Sequence, residues 1–250
     1  MEKISPYSKS KPRPKRFWHR LLAVLTLIIS TGLLVILTNF STNAVIPEPG
    51  KTINLSPHPL PPTLAQWQDK SNSGDYFDNV TPTKVGYLIW SQFPVRVKVE
   101  TPTGISENQS QKWVNSVLQA IQEWNLYLPL QVVENSEIAD ITIYRKAPPL
   151  QIEPNQKIPR ARSALTTYEL YTKDNILSHR FTILLSPSQT GEYIPAAVRH
   201  EIGHALGIWG HSPLPTDALY FSQVRQPPGI SARDVNTLKK VYEQPTSLGW

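Results

Sequence analysis

The chain has no cysteine among its 250 residues, which excludes disulfide staples, thiolate metal sites and a cysteine nucleophile. Any metal site must therefore be built from histidines and carboxylates. Methionine is nearly absent as well, Met1 being the single copy. Outside the N-terminus there is no charge excess: residues 1–20 hold seven Lys or Arg and one Glu, whereas residues 21–250 hold 18 residues of each sign. The basic balance thus belongs to a short tail, which removes most of the case for a nucleic-acid-binding domain, and no nucleic-acid partner is expected. Hydrophobic residues make up 40% of the chain, which argues against disorder throughout.

Charge is missing altogether from residue 21 to residue 47, and residues 21–40 (LLAVLTLIISTGLLVILTNF) are overwhelmingly apolar. Twenty helical residues span roughly 30 Å, the hydrocarbon thickness of a bilayer. A secretory signal has a shorter apolar core, of about 7–15 residues, so the run reads as a retained transmembrane anchor. The alternative is a signal cleaved after Ala44, with Thr42 and Ala44 as the small residues before the cut. The basic stretch preceding the run places a cytoplasmic tail at residues 1–20 and everything beyond about Thr42 on the other side of the membrane. The expected location is therefore a single-pass membrane protein with an extracytoplasmic domain, or a secreted one if the signal is removed.

Residues 41–83 are rich in Pro, Ser, Thr and Asn and read as a semi-extended tether. The folded domain is expected over residues 84–244, with 245–250 as a C-terminal tail. Val95, Val97 and Val99 alternate with polar residues, the period of a half-buried strand. Ser106 and Gln109 resemble a capping box, followed by Trp113, Val117, Ile121, Trp124 and Leu128 at helical spacing, with Pro129 as the stop. The two tryptophans are expected in the core. Residues 139–144 (ADITIY), 165–171 and 181–185 (FTILL) read as further strands. Pro195 suits the first turn of a helix reaching about Leu206, and Ser231 with Asp234 signals a last one. The expected order is β-α-β-β-β-α-loop-α, a mixed α/β domain with helices packed on one sheet.

The chemistry concentrates in residues 200–211 (HEIGHALGIWGH), which hold three of the six histidines. On a helix, His200 and His204 are one turn apart on one face and can reach a single zinc ion. Glu201 is rotated about 100° from His200, placed to take a proton from a water rather than to ligate. Gly207 sits where a helix ending in a left-handed residue needs glycine, after which the chain can reverse and bring His211 back as a third ligand. Three protein ligands leave a fourth position open, the hallmark of a catalytic rather than a structural zinc site. Val198, Ile202, Ala205 and Leu206 supply the core-facing side of this helix.

The segment HEIGHALGIWGHS resembles the zinc signature of the metzincin metalloendopeptidases, and HEIGHALG is especially similar to the matrixin branch. Residues 139–143 (ADITI) resemble the strand before the substrate-binding region, and 230–242 (ISARDVNTLKKVY) the helix that closes a matrixin catalytic domain. The resemblance implies a mostly parallel twisted sheet, one catalytic Zn2+ held by His200, His204 and His211, Glu201 as general base and then acid, and hydrolysis of protein or peptide substrates. It further implies that an extended substrate pairs with the edge strand, for which residues 181–185 are the expected counterpart; Tyr220 and Phe221 are read either as shaping the specificity pocket or as plain core residues.

Two positions depart from the family pattern. The third histidine follows one residue late, with Gly210 in its place; a one-residue bulge at Trp209–Gly210 would absorb the offset, and Asp217 is the substitute ligand should His211 not reach. The family's turn methionine falls at Leu219, within residues 217–220 (DALY). These departures keep open a second expectation, a membrane-tethered peptide-binding protein on the same fold without turnover.

Overall fold

The computed structural model describes residues 55–150 and 161–250. The expected tail, the apolar run and the start of the tether, residues 1–54, lie outside the described residues. Among the described residues no helix is long and apolar enough to cross a membrane.

The valine alternation forms β1 (Val95–Val99), with all three valines buried. Helix α2 (Glu107–Asn125) opens on a complete Ser106/Gln109 capping box. Its apolar stripe buries Trp113, Val117, Ile121 and Trp124, so both tryptophans are core residues, each burial of this kind worth about 1.5–3 kcal/mol. Three further strands follow as expected: β3 (Ile141–Arg145), β4 (Ala164–Lys173) and β5 (Ile176–Leu185). The last two are longer than the apolar segments suggested because they form a continuous hairpin. Its two turn residues, Asp174 and Asn175, have φ of 51° and 65°, as a two-residue turn matched to strand twist requires. A short β2 (Leu130–Val132) carries too few apolar residues to show a period and was not expected.

The sheet order is β2-β1-β3-β5-β4, with three parallel pairings and one antiparallel, between β4 and β5. This corrects the expectation for residues 181–185. They lie in β5, between β3 and β4, and the open edge belongs to β4 because the hairpin folds outward. Helix α3 (Tyr193–Ala205) packs on α2 and on the β4–β5 hairpin, and α4 (Ala232–Tyr242) closes the domain with a second capping box, Ser231 and Asp234.

The tether and tail boundaries are also corrected. Residues 55–83 are packed rather than extended: a short α1 (Pro62–Gln66) buries Leu64, and Tyr76 and Val80 join the core. Tyr76 donates its hydroxyl to Asp234 at 2.6 Å, anchoring this segment to α4. At the other end Thr246 and Leu248 are buried, and Thr246 bridges to Ser56 and Gly86. Prolines dominate the composition here, but isolated apolar residues between them reach the core.

Candidate metal centre

The centre is built on α3 because one side of this helix is committed to the core. Val198, Ile202, Ala205 and Leu206 are fully buried, which turns His200 and His204 toward the cleft. Two indoles fix the helix: Trp124 Nε1 donates to the Arg199 carbonyl at 2.8 Å, and Trp90 Nε1 to the Ala205 carbonyl at 2.9 Å. Arg199 is in turn held by Glu123 of α2 and donates to the Pro228 carbonyl at 2.8 Å. The helix ends as expected at Gly207, whose φ is 128°. The Ile208 N–H returns to the Gly203 carbonyl and the Gly207 N–H to the His204 carbonyl, each at 3.1 Å, the paired bonds of a left-handed C-cap.

The reversal brings His211 beside the helix. One ring nitrogen from each of His200, His204 and His211 lies within 4.8 Å of the others, and the His200 and His204 Nε2 atoms are 3.1 Å apart. Tetrahedral bonds of about 2.0–2.1 Å require ligand atoms some 3.3 Å apart, so the spacing suits a metal ion. The tautomers agree. His200 Nδ1 donates to the Ala218 carbonyl at 2.9 Å and His204 Nδ1 to the Ile208 carbonyl at 2.7 Å. A carbonyl only accepts, so each Nδ1 carries a proton and each ring turns its Nε2 toward the other. Burial keeps His204 well below its usual range, and burial with the neighbouring His200 lowers His211 to about 4, so both imidazoles are neutral and able to ligate at neutral pH. The cluster can hold a divalent metal ion.

Asp217 does not join it. Its carboxylate is buried and accepts from Ser212 Oγ at 2.5 Å and Arg233 Nε at 3.0 Å, which makes it a brace for the following turn. Gly210 allows His211 to arrive because it has no side chain. Its φ is not positive; a Cβ there would lie 2.1 Å from the Asn79 carbonyl oxygen. Residues 79–81 run alongside, with Val80 bridging Gly210 and the Thr81 N–H donating to the Trp209 carbonyl at 3.0 Å. A segment expected to be tether is thus one wall of the site.

Leu219 is fully buried beneath α3, where a Cβ on Gly203 would meet its Cδ2 at 2.6 Å. Its turn is held by Asp234, which accepts from the Ala218 N–H at 2.8 Å and the Leu219 N–H at 3.3 Å. Asp234 read from the sequence only as a helix cap, yet it also fixes the peptide whose carbonyl orients His200.

Glu201 is 8% exposed, and Thr166 Oγ1 on β4 donates to its Oε2 at 2.5 Å. Burial raises the carboxyl above its ordinary range, opposed by the nearby His200 and by the Thr166 bond. Thr166 gave no signal of its own in the sequence, since only strand register decides which residue of β4 faces the helix. All four residues of the candidate site line one cavity of about 1600 Å³, bounded by β4 on one side, residues 78–85 on another, and Tyr220 with the 64%-exposed Phe221. No family model and no curated protein matches this chain.

Proposed function

We propose that the chain is a zinc-dependent endopeptidase, related to the matrixin branch of the metzincins, acting on proteins or peptides outside the cytoplasm. The observation that carries this reading is the convergence of one ring nitrogen each from His200, His204 and His211, with Glu201 on the same helix lining the same cavity and interacting with His200 through its charge. Three imidazoles suit zinc, and they would leave its fourth position for water or substrate. A bound zinc ion would polarise the scissile carbonyl and acidify the attacking water.

Glu201 would take one proton of that water as its oxygen bonds to the acyl carbon, and pass it to the departing amine as the C–N bond breaks, which leaves the protein unchanged. Burial, which raises its carboxyl, favours the first transfer, in which the carboxylate takes the proton. The open edge of β4 offers main-chain groups to an extended peptide, a strand added beside the cleft. Leu219 takes the position of the family's turn methionine, and its full burial under Gly203 supports an intact base for the site. The apolar run at residues 21–40 would hold this domain at the membrane, or direct its secretion with cleavage near Ala44.

The test is metal quantitation on the purified protein together with a peptide-library digest, with and without chelator. Stoichiometric zinc and chelator-sensitive cleavage are expected. A protein that binds zinc and peptides but cleaves none would be the tethered binding protein instead.

A further inference from the structure

The β4–β5 ladder gives Thr166 two directions at once. Ser186 N–H donates to the Ser163 carbonyl at 2.9 Å, which marks Ser163 and Ser186 as a hydrogen-bonded pair. In an antiparallel ladder such pairs alternate with non-bonded ones. By that alternation Ala164–Leu185 and Thr166–Ile183 are non-bonded pairs, so the Thr166 N–H and C=O point away from β5, toward the open edge. The Thr166 side chain turns the other way, to α3. Its hydroxyl lies 2.5 Å from Glu201 Oε2 and 3.2 Å from the Glu201 carbonyl, and the residue is 6% exposed.

We propose that Thr166 is a positioning residue that links strand docking on β4 to the aim of Glu201: its main chain receives the added peptide while its hydroxyl holds one carboxylate oxygen and leaves the other facing the cleft. This rests on the peptidase reading above and adds the residue that orients its base. A carboxylate on a two-carbon stem rotates about χ3 with little resistance, so without a donor on Oε2 its second oxygen has no fixed direction. Held by a buried hydroxyl, one oxygen is committed and the other is presented in one place. Because the same residue offers the edge its main-chain groups, a shift of β4 as a peptide docks moves the base with it.

The test compares Thr166→Val, which keeps the shape and loses the donor, with Thr166→Ser, which keeps the donor. In the zinc-loaded protein Thr166→Val is expected to lower kcat about 10- to 100-fold with KM within about 3-fold, at unchanged zinc content, and Thr166→Ser to restore most of kcat. A second readout does not need turnover: calorimetric affinity for a peptide hydroxamate, whose hydroxyl proton needs a correctly aimed carboxylate, against a peptide thiol, which needs only the metal. Thr166→Val is expected to weaken the hydroxamate about 10-fold relative to the thiol. Equal kcat, or equal loss of both ligands, would overturn the proposal. If the wild-type protein cleaves no peptide, the peptidase reading fails, while the hydroxamate-to-thiol ratio still decides whether Thr166 aims Glu201.

Discussion

Gly210→Ala would place a methyl carbon 2.1 Å from the Asn79 carbonyl oxygen, 2.8 Å from its carbon and 2.9 Å from Val80 Cα. All three obstacles are backbone, so no side-chain rotation relieves them, and either residues 79–81 or the 209–211 turn must move. Overpacking of this kind costs about 1–3 kcal/mol, and separation of the two segments adds the Thr81 N–H to Trp209 carbonyl bond, about 1 kcal/mol. The expected loss is therefore about 2–4 kcal/mol, or about 4–16 °C in the melting temperature of the metal-free protein. Since His211 is the next residue, metal affinity should fall at least about 10-fold by competition against a chromophoric chelator. Gly229→Ala is the control, because a Cβ there meets nothing within 4 Å. Gly210→Ala with an unchanged melting temperature and unchanged metal affinity would refute the claim that residues 79–81 hold the third imidazole in place.

Three other outcomes follow from the site. Glu201→Gln should keep the bound metal and lose peptide hydrolysis about 100-fold or more, measured as zinc content and initial rate on one preparation. Asp217→Ala should cost about 1–3 kcal/mol by removing the acceptor of Ser212 Oγ and Arg233 Nε, with metal affinity retained, whereas His211→Ala should lower metal affinity; the reverse pattern would make Asp217 the ligand. Without metal, stability should fall as pH drops below about 6.5. The folded state holds His179 at about 3, His211 at about 4 and His204 well below its usual range, so the unfolded chain binds more protons over that window. The slope can reach about 4 kcal/mol per pH unit if all three contribute, and urea midpoints at several pH values would show a flat profile if those imidazoles were solvated.

What was legible in the sequence is what repeats at short range. The valine alternation of β1, the tryptophan stripe of α2 and the 200/204/211 spacing each bind neighbours within a turn or two, and each formed as expected. The open edge was misassigned because strand order is a long-range property: residues 181–185 are apolar enough for an edge or a centre, and only the hairpin's direction decides. Residues 55–83 were hidden for a different reason. Their contribution consists of single anchors, Leu64, Tyr76 and Val80, whose partners lie far along the chain and leave no period. The same holds for Thr166 and for the second task of Asp234, since neither a lone threonine nor a helix cap announces a distant contact.

The two helix-borne imidazoles are steered entirely by main-chain oxygens, those of Ala218 and Ile208. Peptide oxygens carry no formal charge and do not ionise in the range where proteins survive. A cation held there would keep its full double charge, undiluted by a neighbouring anion passed through the rings, and would be the stronger electrophile for it. The charged group of this scaffold stands one step further out, at Asp234, whose carboxylate accepts from the Ala218 and Leu219 N–H groups behind the first of these oxygens.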